Sequence, residues 1–257
     1  MKPIPLSFLP THLQKGISLP PIHIDDVHIW QMRLDLPEEH INIFTEILSA
    51  DELDRANRFY FEKDRSRFIS ARGMLRIILS QYLGLDPKKL LFEYSNYGKP
   101  EFRSESGFQS LKFNLSHSEG IALLAVTRYK NIGIDVERIR DDIALDPIAN
   151  LFYSNEEISS LERIGEKRKK EWFYTLWTRK EAFLKATGKG LSYPLKECDV
   201  SFRYGGKFSS VTINKEKSDW MVKDLFPILG FAAALAVEGN NPKLSCTHFD
   251  FFSTSKP

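Results

Sequence analysis

Two acids one residue apart stand in the run Gly133-Ile134-Asp135-Val136-Glu137. On a strand, side chains two apart share a face, so Asp135 and Glu137 would point together while Ile134 and Val136 pack on the other side. Carboxylates aimed at one point suit a hard divalent cation, which takes oxygen ligands and completes its shell with water and phosphate oxygens. A solvated face of an edge strand has the same pattern. A second candidate is Trp177-Thr178-Arg179-Lys180-Glu181-Ala182-Phe183-Leu184-Lys185. At helical spacing Thr178, Glu181, Lys185 and Gly188 form one polar strip, with Leu176 and Phe183 on an apolar one. A carboxylate and an ammonium one turn apart fit phosphoryl chemistry, and equally fit an ordinary Glu–Lys pair worth about 0.2–0.5 kcal/mol. The third candidate joins Tyr97-Gly98-Lys99-Pro100 to Phe113-Asn114-Leu115-Ser116-His117-Ser118. With Phe113 and Leu115 facing inward, Asn114, Ser116 and the strand-end His117 are left to offer groups that could hold phosphate oxygens. A hydrolytic triad is disfavoured, because adjacent strand residues point oppositely and the sequence has no Gly-x-Ser-x-Gly elbow.

These residues must be positioned by strands and long helices. Alternation over Trp30, Met32, Leu34 and Leu36 predicts a half-buried strand. A long helical region follows from an N-cap at Ser49, with Phe68, Ala71, Leu75, Ile78 and Tyr82 recurring at helical spacing until Gly84. Short strands are predicted at 90–94, 111–116 and 121–128. The order then repeats. Ile132, Ile134 and Val136 alternate as a strand, a second helical region runs from about Ser154 to Thr187 and stops at Gly188, and strands follow near 197–203, 208–214 and 228–238. The expected fold is therefore α+β: two pseudo-symmetric lobes, each a small, mostly antiparallel sheet on a long helix, with the active site at their interface. The divisions expected are an N-terminal arm over 1–26, lobes over 27–130 and 131–242, and a tail over 243–257.

Composition narrows the classes. The 257 residues carry 36 Lys and Arg against 34 Asp and Glu, a net charge of +2 that gives no support to nucleic-acid binding. Hydrophobic residues at 42% and charged residues at 27% are those of a folded globular chain. The most apolar stretch, Ile228 to Val237, is too short to span a membrane, and the proline-studded N-terminus has no signal-peptide run. The two cysteines, Cys198 and Cys246, form neither a disulfide framework nor a zinc spacing, so a cytoplasmic protein is expected.

Taken together and in order, Tyr-Gly-Lys-Pro, Phe-Asn-Leu-Ser-His-Ser, Ile-Gly-Ile-Asp-Val-Glu and Trp-Thr-Arg-Lys-Glu-Ala-x-x-Lys-x-x-Gly-x-Gly resemble the Sfp-like 4'-phosphopantetheinyl transferases over roughly residues 27–240. The resemblance implies transfer of 4'-phosphopantetheine from coenzyme A to a serine hydroxyl of an apo acyl or peptidyl carrier protein, releasing adenosine 3',5'-bisphosphate. It implies magnesium ligands at Asp135, Glu137 and Glu181, and coenzyme A contacts at Lys99, Asn114, Ser116, His117, Lys180 and Lys185. Arg67 and Arg72 resemble basic residues that reach the 3'-phosphate, although Glu52 and Arg55 stand where some members carry lysines. The implied catalytic residues are Glu181, Lys185 and Asp135, with Glu181, a water or Asp135 as the acceptor of the serine proton. The basic run Lys167 to Lys170 could steer an acidic carrier, or be an ordinary solvated face. A monomer is expected, because both lobes that build the cleft lie in one chain. Two other classes are weighed: a metal-dependent phosphohydrolase, and a non-catalytic coenzyme A-binding module, which would be expected to have lost one of the three acids.

Overall fold

The computed structural model describes residues 21–190, 193–202, 207–226, 228–239 and 242–249. Most of the expected N-terminal arm (1–20) and the end of the expected tail (250–257) lie outside the described residues.

Each lobe opens on a strand, passes through helices and returns to pair with that first strand. In the first lobe, β1 (Asp26–Arg33) leads to α1 (Glu38–Thr45), α2 (Ala50–Ala56) and α3 (Glu62–Leu83). A short hairpin follows, β2 (Phe92–Tyr94) with β3 (Pro100–Phe102), then β4 (Leu111–Ser118) and β5 (Ile121–Arg128). In the second lobe, β6 (Ile132–Arg138) leads to α4 (Leu145–Phe152), α5 (Asn155–Ile164) and α6 (Glu166–Thr187). The strands β7 (Cys198–Asp199), β8 (Ser209–Ile213), β9 (Glu216–Leu225) and β10 (Phe231–Glu238) complete it. Spatial order is β11-β1-β5-β4 in one sheet and β6-β10-β9-β8-β7 in the other, where β11 is Lys243–Phe249. The orders β1-β5-β4 and β6-β10-β9 correspond strand for strand, which is the internal repeat expected from the sequence.

Helices are stopped where the sequence predicts: Gly84 and Gly188 both adopt the left-handed conformation that favours glycine. Both predicted helical regions are nevertheless divided. The first breaks between Ala56 and Glu62, and the second at Gly165, so that Ser154 caps α5 alone. There the Ser154 amide donates to Glu157 Oε2 (2.8 Å) and Ser154 Oγ accepts from the Glu157 amide (3.1 Å).

Three apolar clusters hold the molecule. One joins α1 and α3 to the inner face of the first sheet through Phe44, Leu75, Ile78, Met32 and Leu124. The second packs α6 on the second sheet through Phe173, Leu176, Phe183, Val222 and Ala234. In the third, Val27, Ile29 and Leu123 of one sheet meet Ile132, Ile134 and Val136 of the other. The layers are therefore helix, sheet, sheet, helix, and each aliphatic side chain buried at the central seam contributes roughly 1.5–3 kcal/mol. This seam alters one expectation. β1 is buried on both faces through Val27–Trp30, because its outer face is covered by the second lobe rather than by water.

The expected tail also departs from its placement outside the lobes. Its first seven residues form β11, which pairs in parallel with β1 from Asp26↔Lys243 to Met32↔Phe249. No helix among the described residues is long and apolar enough to cross a membrane.

Candidate active site at the lobe interface

β6 is the edge strand of its sheet, and its residues divide by parity. Ile132, Ile134 and Val136 enter the central seam, leaving Gly133, Asp135 and Glu137 on the face toward α6. Gly133 is required there: a Cβ at this position would lie 2.1 Å from the Ala182 carbonyl oxygen and 2.4 Å from the Ala186 amide nitrogen. The close approach brings the last turns of α6, with Glu181 and Lys185, over the acids of β6.

Three elements meet at Asp135. Lys185 Nζ donates to Asp135 Oδ1 (2.6 Å) and to Ser116 Oγ on β4 (2.9 Å), and the Ser116 hydroxyl is itself 3.0 Å from Asp135 Oδ1. Asp135 is 2% exposed, whereas the Lys185 side chain is 30% exposed, so the ammonium borders the cleft while its partner lies beneath it. Asp135 Oδ2 is buried with no hydrogen-bond partner. Such an orphaned acceptor costs free energy unless something fills its lone pairs. Beside it, Ser118 Oγ donates to Glu137 Oε2 (3.1 Å).

The electrostatics follow from burial and crowding. Loss of solvent, then the charge of Asp135, push the Glu137 carboxyl up to about 7, against the Ser118 hydrogen bond and Lys185. Glu181 is likewise raised, first by burial and then by Asp135, with Lys185 opposing. Among the described residues no three acid, histidine or cysteine side chains are grouped so that they could hold a metal ion between them. What the site offers a hard divalent cation that takes few protein ligands is the buried unpartnered Asp135 Oδ2, with Glu137 and Glu181 near enough to feel the charge of Asp135.

The structure brings Asp135, Glu137, Glu181, Lys185 and Ser116 together, and places the other predicted residues differently. His117 lies on the opposite face of β4 from Ser116, because strand alternation continues through it. It is exposed, and partial desolvation together with Lys185, Arg55 and Arg67 lowers its affinity for a proton. Asn114 Oδ1 accepts from the Ile134 amide (2.8 Å), so it binds the free edge of β6. Lys99 Nζ donates to the carbonyls of Ile132 (3.0 Å) and Lys185 (2.8 Å), and burial lowers its pKa to about 8.

Three cations are committed elsewhere. Lys180 does not reach the cleft: it is fully buried on the far side of α6, bonded to the carbonyls of Leu195 (2.6 Å) and Cys198 (2.7 Å) and paired with Glu157 (2.9 Å). The reason is the helical turn, which separates neighbours Lys180 and Glu181 by about 100°. Arg72 is held inside the first lobe by the buried Glu52 and donates to the Tyr94 hydroxyl (2.9 Å). Glu52 also binds Arg76, so this acid closes an internal ion network. Arg67 forms a two-pronged pair with Asp35 (2.6 and 3.0 Å) and approaches Glu119 at 3.7 Å. A cavity of about 590 Å³ lies beside this network, lined by Asp51, Arg55, Arg58, Phe59 and Tyr94.

Sequence reasoning missed Ser118, the partner of Glu137. The signal was available, since Asn114, Ser116 and Ser118 share one strand parity. A smaller cavity, about 220 Å³, opens beside Ser118 and Glu137 and is walled by Ile143, Phe173, Tyr174 and Trp177.

Two α+β lobes with acids, a lysine and serines meeting across their seam define a site whose chemistry suits an anionic ligand. Two family descriptions match the chain in succession: 4'-phosphopantetheinyl transferase, N-terminal, over residues 36–128, and the 4'-phosphopantetheinyl transferase superfamily over residues 131–236. The chain is 39% identical over 215 residues to the 4'-phosphopantetheinyl transferase HetI of Nostoc sp., covering 84% of this chain and 89% of that protein. It is 32% identical over 183 residues to the 4'-phosphopantetheinyl transferase Sfp of Bacillus subtilis, covering 70% and 79% respectively. The chain belongs to the 4'-phosphopantetheinyl transferase family.

Proposed function

We propose that this protein transfers the 4'-phosphopantetheine arm of coenzyme A to a serine hydroxyl of an apo acyl or peptidyl carrier protein. The observation that carries the reading is the Lys185–Asp135–Ser116 cluster with its unpartnered Asp135 oxygen, at the seam of a chain related to such enzymes along both lobes. The carrier serine oxygen forms a bond to the phosphorus that bears the arm, the bond from that phosphorus to the bridging pyrophosphate oxygen breaks, and adenosine 3',5'-bisphosphate departs with the bonding pair. Lys185, at the border of the cleft, neutralises charge on the pyrophosphate oxygens. Glu181, whose proton affinity is raised by burial and by Asp135, accepts the serine proton.

Asp135, Glu137 and Glu181 are the residues that would hold magnesium. When bound, the ion supplies charge neutralisation of the pyrophosphate. Ser116 keeps Lys185 and Asp135 in register for both tasks.

Within the basic run expected to steer the carrier, Lys169 pairs with Asp146 and Lys170 with Asp141, which leaves Lys167 and Arg168 as the exposed positive charges. Both walls of the cleft come from one chain, so the working unit is read as a monomer, and a cytoplasmic location goes with the same reading. The test is the dependence of bisphosphate release on the acceptor. Chromatography of reactions holding protein, coenzyme A and magnesium should find adenosine 3',5'-bisphosphate only when apo carrier protein is present. Release without the carrier would instead identify a phosphohydrolase.

A further inference from the structure

β6 has a free edge. It pairs with β10 on one side only, and on the other its backbone groups face the first lobe without a strand to bind them. Three side chains of the first lobe take them up: Asn114 accepts from the Ile134 amide, Ser118 Oγ accepts from the Arg138 amide (3.1 Å), and Lys99 donates to the Ile132 carbonyl. Buried backbone groups left unpaired are costly, so these contacts replace a missing strand at the centre of the molecule.

Lys99 makes a second bond, to the carbonyl of Lys185 in the last turn of α6. The last four carbonyls of a helix have no partner within it, and a cation at that end also complements the helix dipole. A single ammonium from the first lobe thus joins the end of α6 to the start of β6, the two elements that carry Glu181, Lys185, Asp135 and Glu137. The turn around Lys99 makes the same connection by packing. A Cβ at Gly190, just past the end of α6, would lie 2.4 Å from the Tyr97 ring, so this turn is seated closely on the chain leaving the helix.

We propose that Lys99 is a positioning residue: by bonding the carbonyls of Ile132 and Lys185 it fixes the last turn of α6 over β6, and so sets Lys185 and Glu181 against the acids of the seam. It acts on the reaction through these residues and not by touching the phosphates of coenzyme A. The proposal rests on the transferase reading for its kinetic consequence and on the ligand-free geometry for its structural one.

The decisive variant is Lys99→Met, which keeps the aliphatic stem and removes the donor. A clamp predicts kcat reduced by about tenfold or more, with KM for coenzyme A and affinity for adenosine 3',5'-bisphosphate changed by less than about threefold. It also predicts amide exchange at residues 184–188 faster by about tenfold in the ligand-free protein. Loss of bisphosphate affinity by about tenfold, with kcat and exchange unchanged, would overturn it in favour of direct phosphate contact. If the variant does not fold, the unmutated ligand-free protein decides. Nitrogen-detected NMR should find the Lys99 ammonium protons protected from exchange and coupled to the two carbonyl carbons, and exchange as fast as that of a surface lysine contradicts the clamp. Inactivity of the unmutated protein would count against the transferase reading alone, since the exchange and NMR measurements need no turnover.

Discussion

At the scale of single residues, the site stores free energy in its carboxyls. Glu137 holds a proton up to about pH 7 in the folded chain, against 4.5 for an unburied glutamate. Between those values the native state binds more protons than the unfolded one, so this group's contribution to stability is complete below about 4.5 and is lost as pH rises through about 7. Glu137→Gln should therefore raise Tm at pH 8 and leave it nearly unchanged at pH 4. An equal shift at both pH values would mean that the group is not desolvated as described. Ser118→Ala removes the hydrogen bond that favours the ionised form, and a carboxyl-carbon NMR titration should place Glu137 above about 7; a lower value would contradict the contact. The acids of β6 were legible because strand parity alone makes Asp135 and Glu137 neighbours. Lys180, Arg72 and Arg67 were not, because a motif specifies a cation but not the counter-charge that claims it. Glu157 is 23 positions from Lys180 in sequence, and Glu52 is 20 from Arg72, so only the fold introduces each pair.

At the scale of elements, function depends on how closely α6 lies on β6. Gly133→Ala forces a methyl group into helix backbone, which cannot rotate away as a side chain would. The expected cost is about 1–3 kcal/mol of stability, together with a fall in kcat larger than the change in coenzyme A affinity. Chemical denaturation and steady-state kinetics measure the two effects, and a variant of unchanged stability and turnover would show that the helix is not seated as described. Most elements could be read from periodicity, including both helix stops and the strands of the seam. The division of the helical regions could not, because apolar spacing resumes in a workable phase after each break. Strand β9 was missed for another reason. Its Asp224 interrupts the apolar alternation, and only in the fold does that acid find the buried Arg179 at 2.7 and 2.8 Å.

At the scale of the whole molecule, two lobes of like topology are joined by the central apolar seam, by side-chain contacts from Lys99, Asn114, Ser116 and Ser118, and by β11, which follows the second lobe and pairs with β1 of the first. The repeat was visible in the order of elements. The partner of β1 was not, because parallel pairing between residues 26–32 and 243–249 leaves no local pattern in either segment. Truncation after Pro242 should expose that edge of β1, lower Tm and promote self-association that rises with concentration. A truncated chain as stable and monodisperse as the full one in scattering and melting experiments would mean that β11 contributes nothing to the first lobe. Transfer to the carrier serine is read by intact-mass spectrometry of an apo carrier protein incubated with this protein, coenzyme A and magnesium. The expected result is a mass gain of one phosphopantetheine arm per carrier, absent when EDTA is included and absent when the carrier serine is replaced by alanine. An unmodified carrier in the complete mixture, or a gain that persists in EDTA, would contradict it.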